Sequence, residues 1–400
     1  MSIFKEIPPT AGFVLRLRDF LAAFNSPGCL EDDFKRYLDA ENIFVTCSGT
    51  AGLYLIAETL KSLSAKKTVI LPAYVCPSVP LAIARSGLKV QLCDINQEDL
   101  SFNLSELEAV CRDNPDILAI IAVHLGGIPV DLDKISRIAR QYGAYLIEDC
   151  ALSMGAEYHG RKIGSFGDFS FFSLARGKGI TMYEGGAVIV LRKEHARLFQ
   201  EKMEQLAKKD IYAEALRIVE LIGYWIFYRM QLFWFVSALP EFFWKCRGKT
   251  LKALTEDFSI DFPVHRVSKF RKAVCHAQFA RLEDAIKEQR RKADLYMKAL
   301  ENIPDIVVVR GPERCRATYP YLILIFADAK RHKAAWESLA NRGCGVSALY
   351  TRVASDYPYL KNIVTPVGCP NAYFVANHQM TLSTNIFIKA SDIDTIISRI

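Results

Sequence analysis

Apolar runs of strand length recur along the first half of the chain, separated by stretches with helical spacing. Asn42–Cys47, Thr68–Leu71, Val90–Cys93, Ile117–Val123 and Ala144–Ile147 are the runs. A helical stretch follows Ser48-Gly49-Thr50 through Leu60, and another covers Leu132–Tyr142. Strands alternating with helices predict a parallel sheet with helices on both faces. Phe169–Leu174 and Ala187–Leu191 read as two more strands around a glycine-rich turn.

The pattern changes from about residue 260. Lys269–Leu300 is long, charged and helical with few breakers. Strand-like pieces at Ile306–Val309 and Tyr319–Ile325 and a helix at Lys330–Ala340 follow it. This predicts a large domain over 1–255 and a smaller α+β domain over 256–400. One segment fits neither pattern. Within 214–247, the stretch Leu221–Pro240 holds a single charged residue, Arg229, and Trp225, Trp234 and Trp244 are three of the four tryptophans.

Length and composition narrow the class. A chain of 400 residues, 51% hydrophobic and 24% charged, is a globular protein large enough for two domains. The net charge of +7 is mild, and no basic run is interleaved with aromatics as a nucleic-acid face requires, so that partner is excluded. The 11 cysteines include no CxxC pair and no zinc-type spacing to histidine. A reduced, cytoplasmic setting and no metal site are expected. The start, MSIFKEIPPTAGF, lacks the charged-then-apolar order of a secretion signal.

Three features stand where strands end, which is where ligands bind in an open α/β sheet. Ser48-Gly49-Thr50 opens a helix, a position that binds phosphate but more often is only a cap. Glu148-Asp149 ends an apolar strand, where a carboxylate pairs with a protonated ring nitrogen or caps a turn. Lys178 lies between two glycines on the turn joining two strands; alone it reads as a surface lysine. The order and spacing of all three together point instead to one ligand site.

That order is similar to the DegT/DnrJ/EryC1/StrS family of sugar aminotransferases, within the fold-type I pyridoxal-phosphate enzymes. Cys47-Ser-Gly-Thr-Ala-Gly-Leu53 resembles its SGTAAL signature, Leu71-Pro-Ala-Tyr74 its P-S-F/Y motif, Val123-His-Leu-Gly-Gly127 its HLYG and Glu148-Asp-Cys-Ala151 its EDAA. Met154 to Asp168 is similar to the stretch before the active lysine, and His265-Arg-Val-Ser268 to YRMS. The resemblance implies a fold-type I α/β architecture: a mostly parallel seven-stranded sheet between helices, plus a smaller α+β domain. It implies pyridoxal 5'-phosphate bonded to Lys178, which then shuttles a proton. Asp149 would pair with the ring nitrogen, Tyr74 stack on the ring, and Ser48, Gly49, Thr50 and Ser173 hold the phosphate. His124, Glu184 and Arg266 are expected at the substrate. A homodimer is implied, with an amino-acid donor, glutamate by family habit, and a nucleotide-linked keto sugar as acceptor in cell-surface polysaccharide synthesis.

Several positions depart from the family. Leu152 stands for a usual glutamine, Met154 for a frequent histidine, and Val264 for the asparagine that reaches the partner subunit's phosphate. One residue is missing between Lys178 and Gly185-Gly186, and the C-terminal signature is rewritten as Thr381-Leu-Ser-Thr-Asn385. These changes predict a retained cofactor site and a remodelled substrate site, with His265 or Arg266 compensating for Val264. Lys178 counts against the family's dehydratase branch, where histidine replaces lysine; a non-catalytic scaffold is the remaining alternative. A stretch as long as Leu221–Pro240 matches a membrane span in length. A single crossing, however, would separate Lys178 from the second domain. Buried helices or a dimer cover are one expectation for 214–247, and a surface-lying element at the inner face of the cell membrane is the other. The latter would admit a lipid-linked acceptor.

Overall fold

The computed structural model describes residues 6–25, 28–254, 256–340, 342–365 and 367–400; the first five residues and Thr255, the expected domain boundary, lie outside them. The strands in chain order are β1 (Ile43–Thr46), β2 (Thr68–Pro72), β3 (Lys89–Cys93), β4 (Ile117–Val123), β5 (Tyr145–Asp149), β6 (Glu157–Tyr158), β7 (Arg161–Lys162), β8 (Phe169–Ser173) and β9 (Gly186–Val190). After these come β10 (Ile306–Val308), β11 (Cys315–Arg316), β12 (Tyr321–Phe326), β13 (Val346–Ser347), β14 (Val364–Thr365) and β15 (Gln379–Ser383). The large sheet runs β1-β9-β8-β5-β4-β2-β3-β14. Only β9 opposes its neighbours; the β8–β5–β4–β2–β3–β14 pairs are all parallel. The seven expected strands are present, and β14 adds an eighth from far along the chain.

The inner strands are largely apolar and largely buried because helices cover both faces. All seven residues of β4 and all five of β2 are buried. The cover includes the helices Gly49–Leu63 and Leu132–Gln141, whose apolar positions recur at helical spacing. The second sheet, β10-β12-β15-β13, is antiparallel and holds its own core against the helices Leu282–Leu300 and Ala390–Ile397.

The expected helix over 269–300 is interrupted. Lys269–His276 and Leu282–Leu300 are separated by a bend in which buried Gln278 bonds both backbone groups of Thr181. The side chain is drawn into the loop after Lys178, and the helix axis breaks to let it reach.

The apolar segment divides into two parts. In the helix Ile211–Phe227, Leu221 and Tyr224 are buried, as is Tyr228 just after it. The Tyr224 hydroxyl donates to the Phe13 carbonyl, and the Tyr228 hydroxyl reaches the Thr10 carbonyl and Asn385. This first part therefore packs one side inward, while Ile211, Tyr212, Leu216 and Val219 of the same helix stay exposed. Further on, Phe233–Val236 and Ala238–Cys246 contain no buried residue. No helix among the described residues is long and apolar enough to cross a membrane.

A buried ion pair fixes the start of this segment. Glu214 accepts from Nε and Nη2 of fully buried Arg271 and from the Ser268 N–H, and its carboxylate lies 3.3 Å from His265. Removing one partner strands the other charge, so Glu214→Ala should cost about 3–5 kcal/mol by denaturant unfolding at neutral pH. The arginine and histidine hold the Glu214 carboxyl far below its usual range despite burial. Its contribution is full above the ordinary glutamate pKa and is lost as pH falls toward the depressed one, so the gap to wild type should shrink in acid.

Candidate active site

The parallel strands bring their carboxyl ends to one rim, and the predicted residues gather there. Ser48 follows β1, Tyr74 follows β2, His124 follows β4, Asp149 ends β5 and Ser173 ends β8. The β8–β9 loop carries Lys178 back over this rim.

Ser48 caps the helix Gly49–Leu63, its hydroxyl accepting from the Ala51 N–H at 3.0 Å. The next amides of a helix N-terminus have no intrahelical partner and suit an anion. Gly49 lies against Ser173: a Cβ on Gly49 would stand 3.5 Å from the Ser173 Cβ. β9 begins directly beneath, and a Cβ on Gly186 would come within 2.7 Å of the Ser48 and Gly49 backbone. Glycine at 186 is what lets the turn sit down on the sheet. Ser48, Gly49 and Ser173 thus lie together, with Thr50 next in the first turn of the helix, a set of hydroxyls and amides that could cradle an anion.

The acidic pair at the end of β5 is divided by its surroundings. Glu148 is fully buried and accepts from the N–H groups of Gly164 (2.9 Å), Phe166 (2.7 Å) and Gly167 (2.8 Å). Burial raises its pKa, but His124 and these amides outweigh it and leave the carboxyl below its usual range. Glu148 therefore pins the glycine-rich 164–167 loop, which explains why that stretch and the Glu-Asp pair occur together. His124 Nε2, the Glu148 carboxylate and Cys150 Sγ lie within 4.8 Å of one another. The three amides already occupy the Glu148 oxygens, so this group is a brace and not a metal cage. Among the described residues the Asp149 carboxylate accepts a single hydrogen bond, from the Ala151 N–H at 3.0 Å. Burial pushes its carboxyl up to about 6, against the pull of that amide, Lys178 and His124.

Lys178 is held by its backbone: its carbonyl accepts from the Phe13 N–H and its N–H donates to the Ala175 carbonyl. Gly177, at φ +76, makes the turn before it. Burial pushes the Lys178 ammonium below the ordinary lysine range, opposed by Cys76 and Asp149. Amine, carboxylate and cradle converge, and this donor set fits pyridoxal phosphate: amides and hydroxyls for the phosphate, an acid for the ring nitrogen and an amine for the aldehyde.

Other expected site residues are placed differently. Tyr74 is fully buried; its hydroxyl donates to the Tyr350 carbonyl (2.8 Å) and accepts from the Tyr350 N–H (3.1 Å). A ring held this way is not presented for stacking. Tyr74→Phe should cost about 1–2 kcal/mol of stability and leave cofactor affinity within twofold, measured by thermal unfolding and by absorbance titration. His124 is buried, with Nδ1 accepting from the Val130 N–H, Nε2 3.5 Å from Glu148 and its backbone N–H donating to the Asp149 carbonyl, so it braces the end of β5 and is not turned to a substrate. The Glu184 carboxylate pairs with Arg217 at 2.5 Å. Arg266 is exposed and donates to the Ala207 carbonyl, while His265 lies against Glu214. Val264 itself is flanked by the Pro263 carbonyl and His265 N–H, both on the Cys47 sulfur.

Two residues at the site carried no signal in the sequence. The half-buried thiol of Cys76 feels the charges of Lys178 and Asp149, and half-buried Tyr350 feels Cys76 and Asp149. Cys76 shares the β2 loop with Tyr74. Tyr350 arrives from the other end of the chain, where spacing gives no hint.

A family model described as the DegT/DnrJ/EryC1/StrS aminotransferase family matches residues 19–224 and 264–400. An uncharacterised protein of Methanocaldococcus jannaschii is 28% identical over 370 residues, 92% of this chain and 86% of that protein. The UDP-4-amino-4,6-dideoxy-N-acetyl-beta-L-altrosamine transaminase of Campylobacter jejuni is 35% identical over 165 residues, 41% of this chain and 43% of its own length. Among solved structures, a DegT DnrJ EryC1 StrS aminotransferase from Brucella abortus superposes with a TM-score of 0.72 at 18% identity, covering 95% of this chain and 93% of the other. That likeness establishes the fold. With the profile matched on both sides of the apolar segment, the chain belongs to the DegT/DnrJ/EryC1/StrS family of pyridoxal-phosphate-dependent aminotransferases.

Proposed function

We propose that this enzyme moves an amino group from glutamate to a nucleotide-linked keto sugar used in cell-surface polysaccharide synthesis. The observation that carries the reading is the meeting of Lys178, Asp149 and the Ser48–Thr50/Ser173 cradle on one rim of the sheet. The sugar acceptor is supported by the stretch shared with the Campylobacter jejuni transaminase, which acts on a UDP-linked amino sugar.

Bound pyridoxal phosphate supplies an electron sink for charge that develops at the substrate carbon. The chain's own groups do the rest. The cradle fixes the phosphate and so the position of the ring. Asp149 would pair with the ring nitrogen and so exchange the cost of a lone buried carboxylate for an ion pair. Lys178 Nζ, its affinity for a proton lowered by burial, takes the proton from the donor's carbon and returns it to the acceptor's. His124 and Glu148 keep Asp149 in place. We also propose a homodimer working in the cytoplasm, where the free cysteines stay reduced.

Incubation with 15N-glutamate and a nucleotide-linked keto sugar, read by mass spectrometry, tests the reading. Labelled amino sugar supports it. Labelled nitrogen remaining in glutamate, with no amino product from either glutamate or glutamine, removes it.

A further inference from the structure

The stretch left unmatched by the family model, residues 225–263, carries a face that the shared chemistry does not require. In the helix Ala238–Cys246, Leu239, Phe242 and Phe243 stand at i, i+3 and i+4, on one side. They are 43%, 67% and 45% exposed, and Val236 just before them is 48% exposed. Large apolar side chains on a helix with nothing buried lack a cover among the described residues.

Beside this face stands a cluster of one sign. Lys245, Arg247, Lys249 and Lys252 are all exposed, and no acid interrupts the run from 245 to 252. Glu241, one turn earlier, pairs with Lys245. The cations lean over the aromatic rings: the Arg247 guanidinium lies 4.0 Å from the Phe243 centroid, and Lys249 and Lys252 lie 5.5 and 5.0 Å from that of Trp244. Apolar rings beside a rim of long cations match a layer with acyl chains below and anionic headgroups above. A second copy matches less well, because a two-fold contact through this face would bring the same cationic clusters together.

We infer that the face formed by Val236, Leu239, Phe242 and Phe243, with its rim of Lys245, Arg247, Lys249 and Lys252, rests on an anionic phospholipid bilayer. The contact is peripheral, since the helix is too short to span. It is independent of the cofactor reading and would hold the enzyme at the membrane whatever sugar it aminates.

The test uses the full-length, cofactor-loaded enzyme and sucrose-loaded vesicles of phosphatidylcholine, with and without phosphatidylglycerol. Wild type should sediment with the phosphatidylglycerol vesicles and be released by salt. Phe242→Ser with Phe243→Ser should weaken partitioning by at least about tenfold. Changing the four cations to glutamine should weaken it by up to about fivefold each. Each variant must keep the wild-type cofactor absorbance. If the phenylalanine variant loses it, the glutamine variant decides, since its positions are exposed. Wild type that ignores phosphatidylglycerol vesicles, or variants that bind them unchanged, overturn the inference. So does a phenylalanine variant that breaks an oligomer in light scattering while binding vesicles as before, which would assign the face to a second copy.

Discussion

Lys178→Ala is expected to lose transamination by at least about four orders of magnitude while remaining folded. Two roles disappear at once, the bond that fixes the cofactor and the movable proton. Folding should survive, because burial works against the Lys178 ammonium and the loop keeps its backbone ties to Phe13 and Ala175. Steady-state turnover, with circular dichroism on the same samples, checks both halves. A variant that unfolds would place Lys178 among the structural residues, and one that turns over normally would assign the chemistry elsewhere.

Asp149→Asn should act in opposite directions on activity and on stability. Turnover should fall by about 10³-fold, since a neutral amide does not hold a proton on the ring nitrogen. The cofactor-free protein should become more stable. Burial raises the Asp149 carboxyl to about 6 from an ordinary 3.8. A group with a raised folded pKa favours the folded state most fully below its unfolded value, and that advantage is lost as pH rises through the folded one. The wild-type apo-protein therefore pays for a buried carboxylate above about pH 6, by up to roughly 3 kcal/mol. Asparagine carries no such cost. Denaturant midpoints of the two apo-proteins should nearly coincide near pH 4 and separate by about pH 8, with Asp149→Asn the more stable. Equal midpoints at the higher pH would show that Asp149 is not desolvated as its burial indicates.

Much of the large sheet was legible because its inner strands carry mostly apolar runs. Such runs leave little choice of partner, as in Ile117–Val123. The two-residue β14 was not legible, since Val364–Thr365 pairs with β3 through tertiary placement alone. Nor was the bend at Gln278, where one side chain's bonds to Thr181 override a continuous helical pattern. At the site, residues fixed by backbone position were readable: the cap at Ser48, the strand-end Asp149, and Lys178 on its glycine turn. Direction was not. Tyr74 has the right spacing for the ring, yet its hydroxyl finds both Tyr350 backbone groups and the side chain follows it into the core. The apolar segment shows the same limit. Composition marks 214–247 as unusual but does not separate Tyr228, bonded to Asn385 inside, from Phe242 outside.

Borohydride reduction of the protein loaded with pyridoxal phosphate, followed by peptide mass mapping, tests the central claim most directly. The account predicts the reduced cofactor's mass on the peptide carrying Lys178 and on no other lysine, with nothing retained by Lys178→Ala. A wild-type protein that retains no cofactor, or that carries it on a different lysine, would contradict it.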